Sequence, residues 1–163
     1  MQRIERTINL IMIIWLLTAV LITAADQLIK YLVIENIALT DTIEAIPGLL
    51  NFIYVKNTGA AFSILSDKTG LLSVISIAVC VFVIFYLVKY KPKNKLYLVS
   101  LGMILGGAAG NMIDRVFRHF VVDYIELVFI NFPVFNLADI GITVGAVLLM
   151  IYVIFFDNSG KKE

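Results

Sequence analysis

Four long apolar stretches divide the chain, and polar residues gather where those stretches stop. The stretches are Ile8–Ala25, Thr69–Val88, Leu96–Ile113 and Ile140–Phe156, and none carries a charged residue. Wound as helices at about 1.5 Å per residue, each is roughly 25–30 Å long, close to the ~30 Å hydrocarbon core of a bilayer. The pattern predicts four transmembrane helices. Asp26, Asn111, Asp114, Arg115, Asn136 and Asp139 stand at or near their ends, and Asn57 and Asp123 lie in the connections. Polar groups at the edge of a membrane bundle are costly and by default mark a site.

The connections read differently. Ile46-Pro47-Gly48 breaks any helix, Asn51–Lys56 has the β-branched and aromatic content of a strand, and Asn57-Thr58-Gly59 reads as a turn. Ala60–Leu65 is expected to return as a second strand, giving a small sheet on the outer membrane surface. His119–Phe135 is apolar enough to resemble a fifth span, but Asp123, Glu126 and Pro133 interrupt it, so it is read as interfacial strand or loop. Basic residues precede the first stretch (Arg3, Arg6), separate the second from the third (Lys89, Lys91, Lys93, Lys95) and end the chain (Lys161, Lys162). Four crossings place all three groups inside, with both termini cytoplasmic and the polar set on the extracytoplasmic side.

The expected architecture is therefore a membrane all-α bundle of four transmembrane helices with a small extracytoplasmic β segment. It forms a single domain over residues 1–163, with helices at about 8–26, 69–89, 96–114 and 139–156. The β segment is placed at about 35–66 and a second extracytoplasmic loop at 116–136. A rival reading makes residues 1–25 a cleaved signal peptide, since Thr23-Ala24-Ala25 resembles a cleavage site. Against it, the apolar run is long, apolar residues resume after Lys30, and Asp26 and Lys30 are spaced i, i+4 to pair on one helical face. Gly102, Gly106 and Gly110 repeat every four residues, as do Gly141 and Gly145, a spacing that lets helices pack closely in lipid. Gly107 is expected to leave approach to the site unblocked.

Composition agrees with the membrane reading: of 163 residues, 61% are hydrophobic and 15% charged. No Lys/Arg run is dense enough for nucleic acid. The single cysteine, Cys80, excludes a disulfide framework, and mid-span it reads as a small buried hydrophobe. The single histidine, His119, makes a catalytic zinc site or a serine triad a poor fit, and no G-x-S-x-G occurs. No metal or cofactor is expected.

What remains is carboxylate chemistry. Asn136 can cap the fourth helix with Asp139 in its first turn, where the helix dipole favours a negative charge. Read alone, that is structural, and Asp123 alone is a solvated loop charge. Asn111, Asp114 and Arg115 similarly read as a salt-bridged helix end. Jointly, Asp123 and Asp139 can converge with Asn111 and Arg115 nearby. Two carboxylates sharing a site cannot both ionise cheaply, so the pair supplies one base and one acid. One deprotonates a water and the other polarises a scissile carbonyl, which is amide hydrolysis without a metal or covalent intermediate.

Five separated blocks resemble the lipoprotein signal peptidase (signal peptidase II) family across essentially the whole chain. They are Asp26-Gln27-Leu28-Ile29-Lys30, Asn57-Thr58-Gly59-Ala60-Ala61-Phe62, Gly106–Arg115, Val121-Val122-Asp123-Tyr124-Ile125 and Phe135-Asn136-Leu137-Ala138-Asp139. Each is weak alone, and all five in order are specific. The resemblance implies an aspartyl endopeptidase of the bacterial cytoplasmic (inner) membrane with Asp123 and Asp139 as the catalytic pair. It implies a diacylglyceryl prolipoprotein substrate, cut immediately before the lipid-modified cysteine, and inhibition by the cyclic peptide globomycin. It also implies that Asp26, Lys30, Asn57, Gly107, Asn111, Arg115, Asn136 and Ala138 support the site or contact substrate, with Asp114 structural. Tyr124 stands where phenylalanine is common in the family. A monomer is expected, since one bundle can hold a complete site.

Two other classes compete. A small transporter using Asp26, Lys30, Asp114, Arg115 and Asp139 needs titratable groups stepping through the membrane, whereas these gather at one face. A non-catalytic scaffold would tolerate aspartate-to-asparagine changes.

Overall fold

Four helices long and apolar enough to cross a membrane dominate the computed structural model, which describes residues 2–59 and 68–156. They are α1 (Gln2–Asn36), α2 (Thr69–Tyr90), α3 (Lys95–Phe117) and α4 (Leu137–Phe155). Their outward faces are apolar: Leu21, Val74, Phe82 and Ile154 are each more than 60% exposed. So much uncovered apolar surface suits lipid as the surrounding solvent.

Helix α3 is central, because its glycines open two faces. A Cβ on Gly102 or Gly106 would stand 2.7 Å from the carbonyl oxygens of Trp15 and Ala19 on α1. On the other face, Gly107 meets the Ala138 carbonyl and Ile142 of α4, while Gly145 of α4 meets Ser100 O at 2.8 Å. The small-residue spacing therefore brings α1 and α4 against α3 at backbone contact. Helix α2 packs on α3 through Cys80, Val83 and Leu87. Gly106→Ala is expected to push α1 off α3 and cost about 1–3 kcal/mol, seen as a lower unfolding temperature in detergent.

Gly107 does not leave an opening toward the site. Its missing side chain is the space that α4 occupies.

Three short strands cover one end of the bundle: β1 (Thr42–Ile46), β2 (Leu50–Asn57) and β3 (Val121–Leu127), antiparallel in the order β1-β2-β3. Pro47 and Gly48 make the β1–β2 turn, with Leu49 N donating to Ile46 O at 3.0 Å and Gly48 at φ +68°. That is the turn geometry in which glycine at the third position is favoured. Strand β2 pairs with β1 and β3. The Ala60–Leu65 return strand expected from the sequence lies outside the described residues.

Helix α1 continues ten residues past Asp26, because Ile29, Val33 and Ile37 form an i, i+4, i+8 stripe that packs on Tyr54, Val122 and Tyr124 of the sheet. The last turns of α1 thereby tie the sheet to the bundle.

Candidate active site

The start of α4 is held by four separate acceptors. Leu137 N donates to Tyr124 Oη (3.1 Å), Ala138 N to Asp26 Oδ1 (3.0 Å), Asp139 N to Asn136 Oδ1 (2.9 Å) and Ile140 N to Asn136 O (3.2 Å). The Ile140 bond is the first i→i−4 bond of the helix, and the donors a helix normally leaves open, Asn136 N through Asp139 N, are all paired once Asn136 is counted. Asn136 N donates back to Asp139 Oδ2 at 3.2 Å, completing a capping box. The Tyr124 hydroxyl thus has a definite task. Tyr124→Phe leaves the Leu137 N–H without its partner and is expected to cost about 1–3 kcal/mol, read by thermal unfolding.

Asp123 reaches the same place from β3. Phe135 N donates to Ile125 O (3.1 Å) and Ile125 N to Phe135 O (2.8 Å), which folds the chain back before α4. This bridge closes the loop between the two aspartates. Asp123 and Asp139 then line one cavity of about 430 Å³ together with Asn57, Asn111 and Arg115. Phe132, Pro133, Val134, Ile140 and Val144 form its apolar wall.

Three asparagines aim their amide N–H groups at the carboxylates, and each is oriented by what its oxygen accepts. Asn57 Oδ1 accepts from Gly59 N (2.8 Å), so its Nδ2 donates to Asp123 Oδ2 (2.7 Å). Asn136 Oδ1 is taken by Asp139 N, so its Nδ2 donates to Asp123 Oδ1 (2.6 Å). Asn111 Oδ1 accepts from Lys30 Nζ (2.8 Å) and Asn136 Nδ2 (3.2 Å), so its Nδ2 donates to Asp139 Oδ1 (2.8 Å). Every carboxylate oxygen of the pair has one donor behind it. The lone pairs that remain are free for the cavity.

Burial raises the Asp123 carboxyl to about 7, helped by the charge of Asp139 and opposed by the Asn57 and Asn136 hydrogen bonds and by Lys30. Desolvation disfavours the charged form, and a like charge adds to it.

Beneath the pair lies a buried ionic layer. Lys30 Nζ sits 2.9 Å from Asp26 Oδ2 and 3.0 Å from Asp114 Oδ2, and all three side chains are fully buried. The Asp26–Lys30 pairing is the i, i+4 contact read from the sequence. Asp26 accepts the N–H of Ala138, the residue before Asp139, and Asp114 accepts that of Val122, the residue before Asp123, at 3.0 Å. Lys30 therefore ties together the two carboxylates that hold the backbone beside each cavity aspartate. Asp114 does not close its helix end onto Arg115; its i, i+4 partner is Arg118, just past the end of α3. Arg115 instead faces the cavity and donates to Gly59 O at 3.3 Å.

The sequence-predicted residues Asp26, Lys30, Asn57, Asn111, Asp114, Arg115, Asn136, Ala138, Asp123 and Asp139 all fall within this connected group. Gly107 sits apart, as a packing residue. Gln27, Arg118 and the Tyr124 hydroxyl were not singled out by the sequence. Arg118 had a signal, its i, i+4 spacing from Asp114 at the end of α3.

A multi-pass membrane protein with a buried and a half-buried aspartate lining one cavity at one end of its bundle is the class that this fold and site define. The chain belongs to the signal peptidase II family, a family of proteases. The family model described as signal peptidase (SPase) II matches residues 18–155. The lipoprotein signal peptidase of Enterococcus faecalis is 40% identical over 152 residues, covering 93% of this chain and 94% of that protein. That of Lactobacillus johnsonii is 44% identical over 145 residues, covering 89% and 94%. A solved bacterial membrane enzyme, determined by the in meso method, superposes with a TM-score of 0.83 at 36% identity, covering 91% of this chain and 92% of the other.

Proposed function

We propose that this protein is an aspartyl endopeptidase that removes the signal peptide from prolipoproteins, cutting immediately before the diacylglyceryl-modified cysteine. Family membership supports the substrate class. The observation that carries the mechanism is the shared cavity, with Asp123 and Asp139 each backed by asparagine donors and open on one side.

A water between the two carboxyls loses its proton to the ionised member and attacks the scissile carbonyl. The protonated member donates to that carbonyl oxygen. Asp123 is assigned the proton in the resting pair. Asp139 is the base, since its place in the first turn of α4 favours a negative charge. Asn57, Asn111 and Asn136 fix the carboxyl planes, and Lys30, Asp26 and Asp114 fix the backbone on which they stand. The apolar wall offers cover to the lipid-bearing end of the substrate. Globomycin is expected to compete for this cavity.

The enzyme is placed in the bacterial cytoplasmic membrane as a monomer, with its site on the extracytoplasmic side and both termini inside. The exposed Lys89, Lys91, Lys93 and Lys95 at the far end of the bundle support that orientation. Cysteine labelling of the α2–α3 connection in intact cells tests it: exposure to an impermeant reagent reverses the assignment.

The pair works with one proton. Asp123 carries it below about 7 and releases it above. Cleavage in lipid nanodiscs is therefore expected to decline as pH rises through about 7, measured as kcat/KM against pH. The linked stability has the same sign. A carboxyl whose folded pKa is raised favours folding most below its unfolded pKa, and that contribution is lost as pH rises to about 7. A flat profile between pH 6 and 8 contradicts the proton assignment.

A further inference from the structure

The ionic layer under the cavity is formally unbalanced without a residue that the proposed reaction does not use. Asp26, Asp114 and Lys30 are fully buried and sum to one negative charge. Arg118, just past the end of α3 and 28% exposed, brings the sum to zero. Its Nη1 donates to Asp114 Oδ1 and, at 3.1 Å, to Gln27 Oε1. Gln27 is locked in turn, its Nε2 donating to Gly110 O (3.0 Å), Asp114 Oδ1 (3.2 Å) and Asp26 Oδ2 (3.3 Å).

We propose that Arg118 is a positioning residue for cleavage: by holding Asp114 Oδ1 it leaves Oδ2 for Lys30 and the Val122 N–H, and so fixes Asp123 relative to Asp139. The proposal rests on the paired-aspartate reading above. The path is short. Asp114 Oδ2 meets Lys30 and Val122 N, Lys30 meets Asn111 Oδ1, and Asn111 meets Asp139. Without Arg118, Asp114 Oδ1 keeps only the Gln27 amide, and the buried layer carries an uncompensated charge. Removing one partner of such a group is far costlier than never having had the pair. The layer then relaxes by drawing Lys30 toward Asp114. Asn111 Oδ1 thereby loses the shorter of its two donors and keeps only Asn136 Nδ2 at 3.2 Å to set its amide direction. A small misplacement of a reacting group lowers turnover more than binding.

Arg118 touches its partners through one nitrogen, so a lysine ammonium can serve both contacts, whereas methionine offers bulk without a donor. The test compares Arg118→Met, Arg118→Gln, Arg118→Lys and Asp123→Asn in the full chain in lipid nanodiscs. The substrate is a synthetic diacylglyceryl prolipopeptide, and rates are normalised to folded protein by thermal unfolding. Arg118→Met and Arg118→Gln are expected to lose about tenfold or more in kcat with KM within about twofold, and Arg118→Lys to recover most of it. A neutral variant with wild-type kcat, or a lysine variant as slow as the methionine one, overturns the positioning role. Asp123→Asn separates the two claims. If it is inert while Arg118→Met is fully active, only the role of Arg118 falls. If it turns over normally, the aspartate pair falls and the proposal with it.

Discussion

Asp139→Asn and Asp123→Asn are each expected to abolish cleavage of a diacylglyceryl prolipopeptide while the protein still inserts and folds. The expected loss is about a thousandfold or more, at the upper part of the range for general acid–base groups, because the two aspartates act as one unit. Asparagine at 139 keeps an oxygen for the capping box but cannot take a proton from water. Asparagine at 123 cannot hold or release one. It also turns an N–H toward a donor, since both Asp123 oxygens already accept amide hydrogens from Asn57 and Asn136. The measurement is single-turnover release of the signal peptide, with circular dichroism and thermal unfolding as the fold control. Retained turnover in either variant removes the pair from the mechanism.

Lys30→Met has the largest expected effect on stability. Lys30 is fully buried between Asp26 and Asp114, and removing it leaves two carboxylates facing each other with Arg118 as their remaining cation. Breaking a buried pair by deleting one partner typically costs about 3–5 kcal/mol. The loss is expected to be smaller when Asp26→Asn accompanies Lys30→Met, because the double variant buries less unpaired charge. Unfolding temperatures of the single and double variants in detergent decide it: equal losses in both deny the coupling.

The membrane frame was legible because its cause is simple. An apolar run of bilayer length has few folded alternatives, and four helices long and apolar enough to cross a membrane are present, α1 and α3 running past the ends of their apolar runs. The capping box at Asn136 and Asp139 and the Asp26–Lys30 pair were legible for a similar reason, since both are set by spacing on a single helix. The sheet was harder. Strand β3 is buried at four successive positions, Val121 to Tyr124, so it lacks the alternation that reveals a half-buried strand. Strand β1 is exposed throughout and carries little signal. The pairing of β2 with β3, Asn57 opposite Val121 and Leu50 opposite Leu127, depends on a long-range register that spacing does not encode. Arg118 was passed over because the third helix was drawn to stop at the apolar boundary, while the backbone continues to Phe117 and brings Arg118 one turn beyond Asp114. Gly107 was misread for an opposite reason. An absent side chain beside a site looks like an entrance, yet the space belongs to Ala138 and Ile142 of a neighbouring helix.

The fully occupied first turn of α4 has one more consequence. Many hydrolases stabilise the tetrahedral intermediate with free backbone N–H groups at a helix start, forming an oxyanion hole. Here those groups are committed to Tyr124, Asp26 and Asn136. In the proposed reaction, the negative oxygen that develops on a substrate is expected to be quenched by a proton from the acid partner or by the guanidinium of Arg115, which faces the same cavity. An inhibitor built for this cavity therefore gains more from a hydroxyl seated between the carboxyls than from an anionic group aimed at the helix.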